Sequence, residues 1–397
     1  MEESIRGTLL IVDDVPANTM ILGKVLGAAH DILLASSGEE ALEIVRRQRP
    51  DLVLLDVMMP DMDGYTVCRI LKADPATRDI PIIFITAMSD EENEEIGLTI
   101  GAIDYVTKPF RLPIIQARVR NQLISKARAD MVNASNVKLE ALYSRVKEDL
   151  EAAARLQYSL LPEPSMKIYG SSFNFIYRPS QFLGGDVLNY FPIDTNKAAF
   201  YVADVSGHGV PSALLSVTLS NMMTPEFCTK VAGPVDEALG VPSPSTVATA
   251  LNRRFLGDGA RMDYLTIAYG IIDTSDGTTR ICQAGQPSPV VLRRNGAIET
   301  VGTGGYPIGM FDKAEFEDLP IQLQPGDRLA LFSDGITECE NPSKVQFGSD
   351  RLVETLLRDE DSSLSNVQAS IDAWMDGHPP TDDVSLVVMT LTDTVAG

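Results

Sequence analysis

The chain is 397 residues long, which suits two or three domains. Lys and Arg number 33 against 55 Asp and Glu, and the formal net charge of −22 disfavours both nucleic acid and an anionic membrane surface as partners. Hydrophobic residues make up 44%, too many for a disordered acidic tail, yet they come in runs too short to span a bilayer.

Through residue 110, short apolar runs alternate with stretches of helical spacing. The runs are Leu9–Val12, Ile32–Ala35, Leu52–Val57, Ile82–Thr86 and Asp104–Val106; Glu39–Arg47 and Val67–Ala73 have helical spacing. Five strands alternating with helices predict a doubly wound α/β domain around a parallel sheet. In such a sheet the site forms beyond the carboxyl ends of the strands, where the acidic residues of this segment fall.

Residues 111–161 hold one proline, Pro113, and no glycine. Leu139, Leu142, Val146, Ala153, Leu156 and Leu160 recur in 3–4 alternation, interrupted at Asp149 and weakened upstream by Ser135. This predicts one long helix that can pair as a coiled coil and so form a homodimer. A solvated helix packed on a neighbouring domain is the alternative. From Pro162 onward, prolines and glycines become frequent. Strand-like runs occur at Ala198–Ala203, Leu265–Ile272, Pro289–Arg293, Arg328–Phe332 and Ser385–Thr392, and helical spacing at Pro211–Met223, Thr246–Phe255, Asp350–Leu357 and Asn366–Trp374. A mixed α/β domain follows, expected as a β-sandwich flanked by helices.

Cys68, Cys228, Cys282 and Cys339 form no C-x-x-C pair, and His30, His208 and His378 stand in unrelated contexts. A metal in this chain is therefore expected on carboxylates, which favours a hard cation such as Mg²⁺ or Mn²⁺. The start, Met-Glu-Glu-Ser, lacks the basic and apolar pattern of a secretory leader, so a cytoplasmic location is expected.

In the first segment, Asp13 and Asp14 follow the first run, Asp56 ends the third, Thr86 ends the fourth and Lys108 follows the fifth. Charges at apolar strand ends cost desolvation unless something pairs them. An Asp pair with Asp56 can hold one Mg²⁺ and orient a phosphoryl group toward the Asp56 carboxylate as nucleophile, with Lys108 neutralising the acyl phosphate. On these residues, and on Leu-Asp-Val-Met-Met-Pro-Asp-Met-Asp-Gly (55–64), Thr86-Ala87, Tyr105 and Lys108-Pro109, residues 6–125 resemble the response-regulator receiver family. The resemblance implies a (βα)₅ fold and Asp56 as phosphoacceptor. It also implies Thr86 and Tyr105 as the switch pair, Val57 as a carbonyl ligand of Mg²⁺, and a sensor histidine kinase or phosphotransfer protein as donor.

The C-terminal segment carries Asp motifs far apart in sequence: Gly184-Gly185-Asp186, Asp204-Val-Ser-Gly-His-Gly, Ser333-Asp334-Gly335 and Asp382-Asp383. Asp204 and Asp334 end predicted strands and the Asp382-Asp383 pair starts one, so antiparallel pairing would gather them at one end. Converging carboxylates repel unless cations lie between them, and two bridged hard cations can activate water against a phosphoester. With Ala-Arg-Leu-Gln-Tyr-Ser-Leu-Leu-Pro (154–162), Ala-Gly-Gln-Pro-Ser-Pro (284–289) and Pro-Gly-Asp-Arg-Leu-Ala-Leu-Phe-Ser-Asp-Gly (325–335), residues 150–393 resemble the PPM-type Ser/Thr protein phosphatases. Within them, they are similar to the bacterial RsbU and sporulation stage II E branch.

The second resemblance implies two Mn²⁺ or Mg²⁺ ions held by Asp186, Asp204, Asp334, Asp382 and the Val205 carbonyl, with Asp383 the alternative to Asp382. Asn189 stands where that branch has a second acid, and Gln286 where it has a histidine. His208 reads as a helix-start residue or a general acid, and Arg178 as a ligand of substrate phosphate or a surface arginine. Both resemblances together imply a receiver domain (1–125), a helical linker (126–161) and a phosphatase domain (162–397). The function they imply is a response regulator that dephosphorylates a STAS-type anti-sigma-factor antagonist. An adaptor without catalysis, binding a sigma factor or its regulator under phosphorylation control, is the alternative.

Overall fold

In the first of two units, Met1–Ser144, five apolar runs form strands β1 (Thr8–Val12), β2 (Asp31–Ala35), β3 (Leu52–Asp56), β4 (Ile82–Thr86) and β5 (Asp104–Thr107). All pair in parallel, in the order β2-β1-β3-β4-β5. The structure, a computed structural model, describes residues 6–87, 99–109, 111–207, 209–256, 264–359 and 363–392.

Alternate residues of these strands face opposite layers. Leu10, Val12, Val53, Leu55, Ile82 and Phe84 pack with residues of α2 (Gly38–Gln48) and α3 (Gly64–Ala73). Leu9, Ile11, Leu52, Leu54, Ile83 and Ile85 pack with Leu22 and Leu26 of α1 (Pro16–Leu26) and with Ile115, Val119 and Leu123 of α4 (Leu112–Tyr158). A parallel sheet covered on both faces needs apolar side chains on both, which is why its strands read as continuous runs rather than alternations.

The second unit, Arg145–Gly397, is a sandwich of two antiparallel sheets. One has the order β14-β11-β10-β9-β8, from β8 (Val187–Pro192), β9 (Lys197–Val205), β10 (Leu265–Asp273), β11 (Thr278–Ala284) and β14 (Leu319–Gln322). The other has the order β13-β12-β15-β16-β7-β6, from β6 (Ser165–Ile168), β7 (Ser171–Arg178), β12 (Val290–Leu292), β13 (Ile298–Thr300), β15 (Arg328–Phe332) and β16 (Val384–Leu391). Between the sheets lie Phe173, Tyr190, Phe200, Val202, Leu331 and Met389, among others.

The outer face of the five-stranded sheet is covered by α5 (Val210–Met222), a π-helical turn (Phe227–Val231) and α6 (Pro244–Phe255). On the six-stranded side, α7 (Asp334–Glu338), α8 (Ser349–Arg358) and α9 (Ser365–Met375) do the same. The result is four layers, α/β/β/α, in which both faces of each sheet meet apolar partners.

Helix α4 runs without interruption through the predicted linker. Along it, Met131, Leu139, Leu142, Tyr143 and Val146 are exposed. No helix among the described residues is long and apolar enough to cross a membrane.

Phe200 is fully buried between the sheets. Replacing it with alanine is expected to cost about 3–5 kcal/mol by lost transfer energy and an unfilled cavity. In urea denaturation of the full chain, the transition of the C-terminal unit should move to lower denaturant, while that of the receiver-like unit stays in place.

Candidate functional site

Two sites form at strand ends. In the first unit, Asp13 follows β1 and Asp56 ends β3, and the β1–β3 register brings their strands side by side. Both carboxylates are buried. Asn18 Nδ2 donates to both Asp13 oxygens, at 2.9 and 3.0 Å, and Val15 N donates to Oδ1 at 2.9 Å. The Lys108 ammonium bridges the two acids, 2.8 Å from Asp13 Oδ2 and 2.7 Å from Asp56 Oδ2.

Burial raises the Asp56 carboxyl above its ordinary range, with Lys108 pulling against it. Burial also opposes the Lys108 charge, but hydrogen bonds to Asp13 and Asp56 outweigh it and raise that group. Asp13, Asp14 and Asp56 each offer an oxygen within 4.8 Å of the others, the one such acid trio among the described residues. Three converging oxygens suit a small hard cation that keeps part of its water shell.

Thr86 ends β4, and its carbonyl accepts from Lys108 N at 2.7 Å. Tyr105 pairs in register with Phe84, two residues before Thr86, so both residues project to the same face of the sheet. The Arg118 guanidinium of α4 lies 5.9 Å over the Tyr105 ring. Val57 is buried and its carbonyl accepts from Gly64 N at 2.9 Å, so one of its lone pairs is already engaged in the loop.

In the second unit, Asp204 is the penultimate residue of β9, opposite Thr266 on β10. Asp334 opens α7 two residues beyond β15, and Asp382-Asp383 immediately precede β16. β15 and β16 are antiparallel, and Ser333 N donates to Ser385 O at 2.9 Å, so the end of one strand meets the start of the other. This close passage excludes a side chain at Gly335, where a Cβ would stand 2.1 Å from Asp383 O.

Asp186 is buried, and its Oδ2 has no hydrogen-bond partner. Burial, then the nearby Asp204 charge, lifts its carboxyl well above the ordinary range. Burial, followed by the negative charges of Asp334, Asp382 and Asp383, pushes Asp204 up to about 7. An orphaned buried oxygen beside mutually repelling carboxylates is a donor set that fits a divalent cation.

Asp383 is used differently from its neighbour. Its Oδ1 accepts from Ser180 N at 2.7 Å and Ser180 Oγ at 3.0 Å, and its Oδ2 accepts from Gly185 N at 2.5 Å. It thus holds the 180–186 loop by its backbone, whereas Asp382 is exposed. A residue of the 154–162 segment completes this clamp. Gln157, in the last turn of α4, is buried; its Nε2 donates to Gly184 O at 2.6 Å and Ser216 Oγ at 2.9 Å, and its Oε1 accepts from Gly184 N at 3.1 Å. Gln157 lies within the 154–162 segment, but no local pattern indicates a partner 27 positions away.

Asn189 Oδ1 accepts from Tyr190 N at 2.8 Å, and its residue pairs across the sheet with Tyr201. Gln286 is buried and supports the β9 terminus. With its amide oxygen turned toward donors, it accepts from Asp204 N and Thr266 Oγ1, both at 3.1 Å, while the nitrogen donates to Phe332 O at 3.2 Å. Arg178 is paired with Asp372 of α9 at 2.5 Å. Together with Tyr158, Phe175, Tyr177 and Ile371, this pair lines a cavity of about 610 Å³. His208 lies outside the described residues.

Comparison with known proteins agrees with these two architectures. The family described as stage II sporulation protein E (SpoIIE) matches residues 194–392, and the response regulator receiver domain matches residues 9–120. A probable cyclic di-GMP phosphodiesterase of Vibrio cholerae is 35% identical over 228 residues, covering 54% of this chain and 52% of that protein. Response regulator PleD of Caulobacter vibrioides is 46% identical over 114 residues, 28% of this chain and 25% of that one. The chain thus spans about half or less of the length of these relatives. Among solved structures, the SiaA-PP2C domain of Pseudomonas aeruginosa superimposes with a TM-score of 0.53 at 18% identity, covering 64% of this chain and 99% of that one, a likeness of fold. The chain belongs to the stage II sporulation protein E (SpoIIE) family, and joins a response-regulator receiver domain to a PPM-type phosphatase domain.

Proposed function

We propose that the chain is a response regulator, phosphorylated on Asp56, whose output is metal-dependent hydrolysis of phosphoserine or phosphothreonine in a protein. The observation that carries this reading is the pair Asp186 and Asp204: one oxygen orphaned in the interior and one carboxyl pushed up to about 7 by burial and by like charges. Evenly matched apolar packing would be cheaper than this arrangement unless cations occupy it.

Asp186, Asp204, Asp334, Asp382 and the Val205 carbonyl would hold two Mn²⁺ or Mg²⁺ ions, with Asp383 positioning the Gly184-Gly185-Asp186 loop through its hydrogen bonds. When bound, such a centre lowers the pKa of an attacking water and stabilises charge on the phosphoryl oxygens. The protein's own part is to hold the carboxylates on strand ends, and Gln157 ties the same loop to α4. In the receiver domain, Asp13, Asp14 and Asp56, with the Val57 carbonyl, would hold Mg²⁺ and Lys108 would face the acyl phosphate. Thr86 and Tyr105 would respond to it. The phosphodonor is a histidine kinase or a phosphotransfer protein.

The substrate is proposed to be a phosphorylated STAS-type anti-sigma-factor antagonist, in the cytoplasm. The boundaries 1–125, 126–161 and 162–397 are proposed for receiver, linker and phosphatase, with the exposed apolar stripe of α4 pairing two copies as a coiled coil. Phosphorylation of Asp56 would change that pairing, and with it the hold of Gln157 on Gly184.

The full chain should release phosphate from a phosphoserine substrate with Mn²⁺, and Asp204→Ala should lower kcat by at least about a hundredfold while circular dichroism stays unchanged. A metal-independent rate, or one that survives in the variant, would sink the enzyme reading and favour the adaptor. Loading the receiver with beryllofluoride should change the rate, in either direction; an identical rate refutes coupling.

Without metal, stability should also depend on pH through Asp204. Its carboxyl is pushed up to about 7 in the folded chain, against about 4 for an aspartate carboxyl in an unfolded one. The folded chain therefore binds the extra proton between about pH 4 and 7, and its stability falls as pH rises through that window. Thermal melts in chelator should show this slope, Mn²⁺ should remove it, and Asp204→Asn should make it shallower, leaving the part that the buried Asp186 contributes.

A further inference from the structure

The connection between β13 and β14 is built to hold a shape. Gly302, Gly304, Gly305 and Gly309 all have positive φ, at 78°, 118°, 150° and 86°. At Gly305 a Cβ would stand 2.2 Å from Gln283 O, so backbone packs directly on backbone there. Ile308 exchanges both backbone hydrogen bonds with Leu265, at 3.0 and 2.8 Å. The buried Asn252 of α6 grips the next turn from both sides: its Oδ1 accepts from Gly309 N at 2.7 Å and its Nδ2 donates to Phe311 O at 3.0 Å.

This pinned segment points apolar groups at solvent. Tyr306 is 53% exposed, Met310 42% and Phe311 45%. The Tyr306 and Phe311 rings pack edge to face, 5.3 Å between centroids, so they stiffen each other while leaving their outer surfaces bare. Rigid aromatic anchors lose little entropy on binding and are enriched at the energetic centres of protein interfaces.

The location ties the patch to the carboxylate centre. Leu265 pairs with Val205 and Thr266 with Asp204 on one side of β10, and Ile308 bridges to Leu265 on the other. Ile308 is therefore two strand spacings, about 10 Å, from the end of β9. Exposed Asp312, Glu315 and Glu317 follow the patch in the chain, with Lys313 the one cation among them, so the segment that carries it is acidic.

We propose that Tyr306, Met310 and Phe311 form the docking surface for the phosphoprotein substrate, a folded protein with an apolar patch, rimmed by basic groups, beside its phosphorylated residue. The inference rests on the phosphatase reading above and specifies what that centre acts on. The carboxylates handle the phosphoester; the aromatic pair, on the segment that Ile308 pins two strands from β9, selects the protein that carries it.

The test uses the full chain with Mn²⁺ and two probes, para-nitrophenyl phosphate and a serine-phosphorylated STAS-domain protein. The double variant Tyr306→Ala/Phe311→Ala should hydrolyse the small ester with unchanged kcat and KM. Its kcat/KM on the phosphoprotein should fall about tenfold or more, carried by KM. Tyr306→Phe, which keeps the ring pair, should retain wild-type KM on the phosphoprotein. Equal loss on both probes would make the loop part of the catalytic framework and overturn the docking role. So would no loss on either probe, or a wild type that turns over the ester but not the phosphoprotein. A wild type inactive on both probes overturns the phosphatase reading first, and this inference with it.

Discussion

Negative charge held at the ends of apolar strands is the constraint on which the rest of this chain depends. Strand ends are where a buried sheet meets solvent, so a carboxylate there is partly stripped of water yet open on one side. The two units resolve the cost differently. In the first, the Lys108 ammonium lies between Asp13 and Asp56 and supplies the opposing charge from within the fold. In the second, the charges acting on Asp204 come from Asp334, Asp382 and Asp383 and all share its sign. The first site is balanced in part, one ammonium against three carboxylates, whereas the second receives no opposing charge among the groups that act on Asp204; both donor sets suit added positive charge.

Holding repelling groups together requires a framework that does not yield. Antiparallel pairing of β15 with β16 supplies part of it, because the strands' hydrogen bonds fix where Asp334 and Asp382 emerge. Side chains that read as acids or amides in sequence supply the remainder by binding backbone. Asp383 captures Ser180 and Gly185, Gln157 captures both backbone groups of Gly184, and Gln286 supports Asp204 from below. Such bonds are worth more in a low-dielectric interior, and losing one partner leaves the other unpaired.

Helix α4 contributes to both units. Ile115, Val119 and Leu123 belong to the core behind the parallel sheet, and Gln157 binds the loop before Asp186. Between them, the apolar stripe from Met131 to Val146 stays exposed. Stability of a helix this long comes mainly from packing of an apolar face, which is the physical ground for proposing that a second copy covers the stripe.

Much of this was legible from the residues alone. Period and run length located the five parallel strands, but only β9, β10, β12, β15 and β16 of the sandwich's eleven described strands, because burial on both faces of a parallel sheet leaves an unbroken apolar signature and burial on one face of a helix leaves a 3.6-residue one. The Asp56 and Asp204 motifs stood out because carboxylates at the ends of such runs are costly and therefore conspicuous. The Gly184 partner of Gln157, the backbone-binding role of Asp383 and the aromatic pair Tyr306–Phe311 were not legible in this way. Their partners lie far off in the chain: Gly184, Ser180 and Asn252 are brought to them by sheet register and loop closure, and neither leaves a periodic trace in sequence. The sequence by itself determined which residues seek the interior and which carry charge; only the tertiary structure decided which distant backbone groups those side chains would grip.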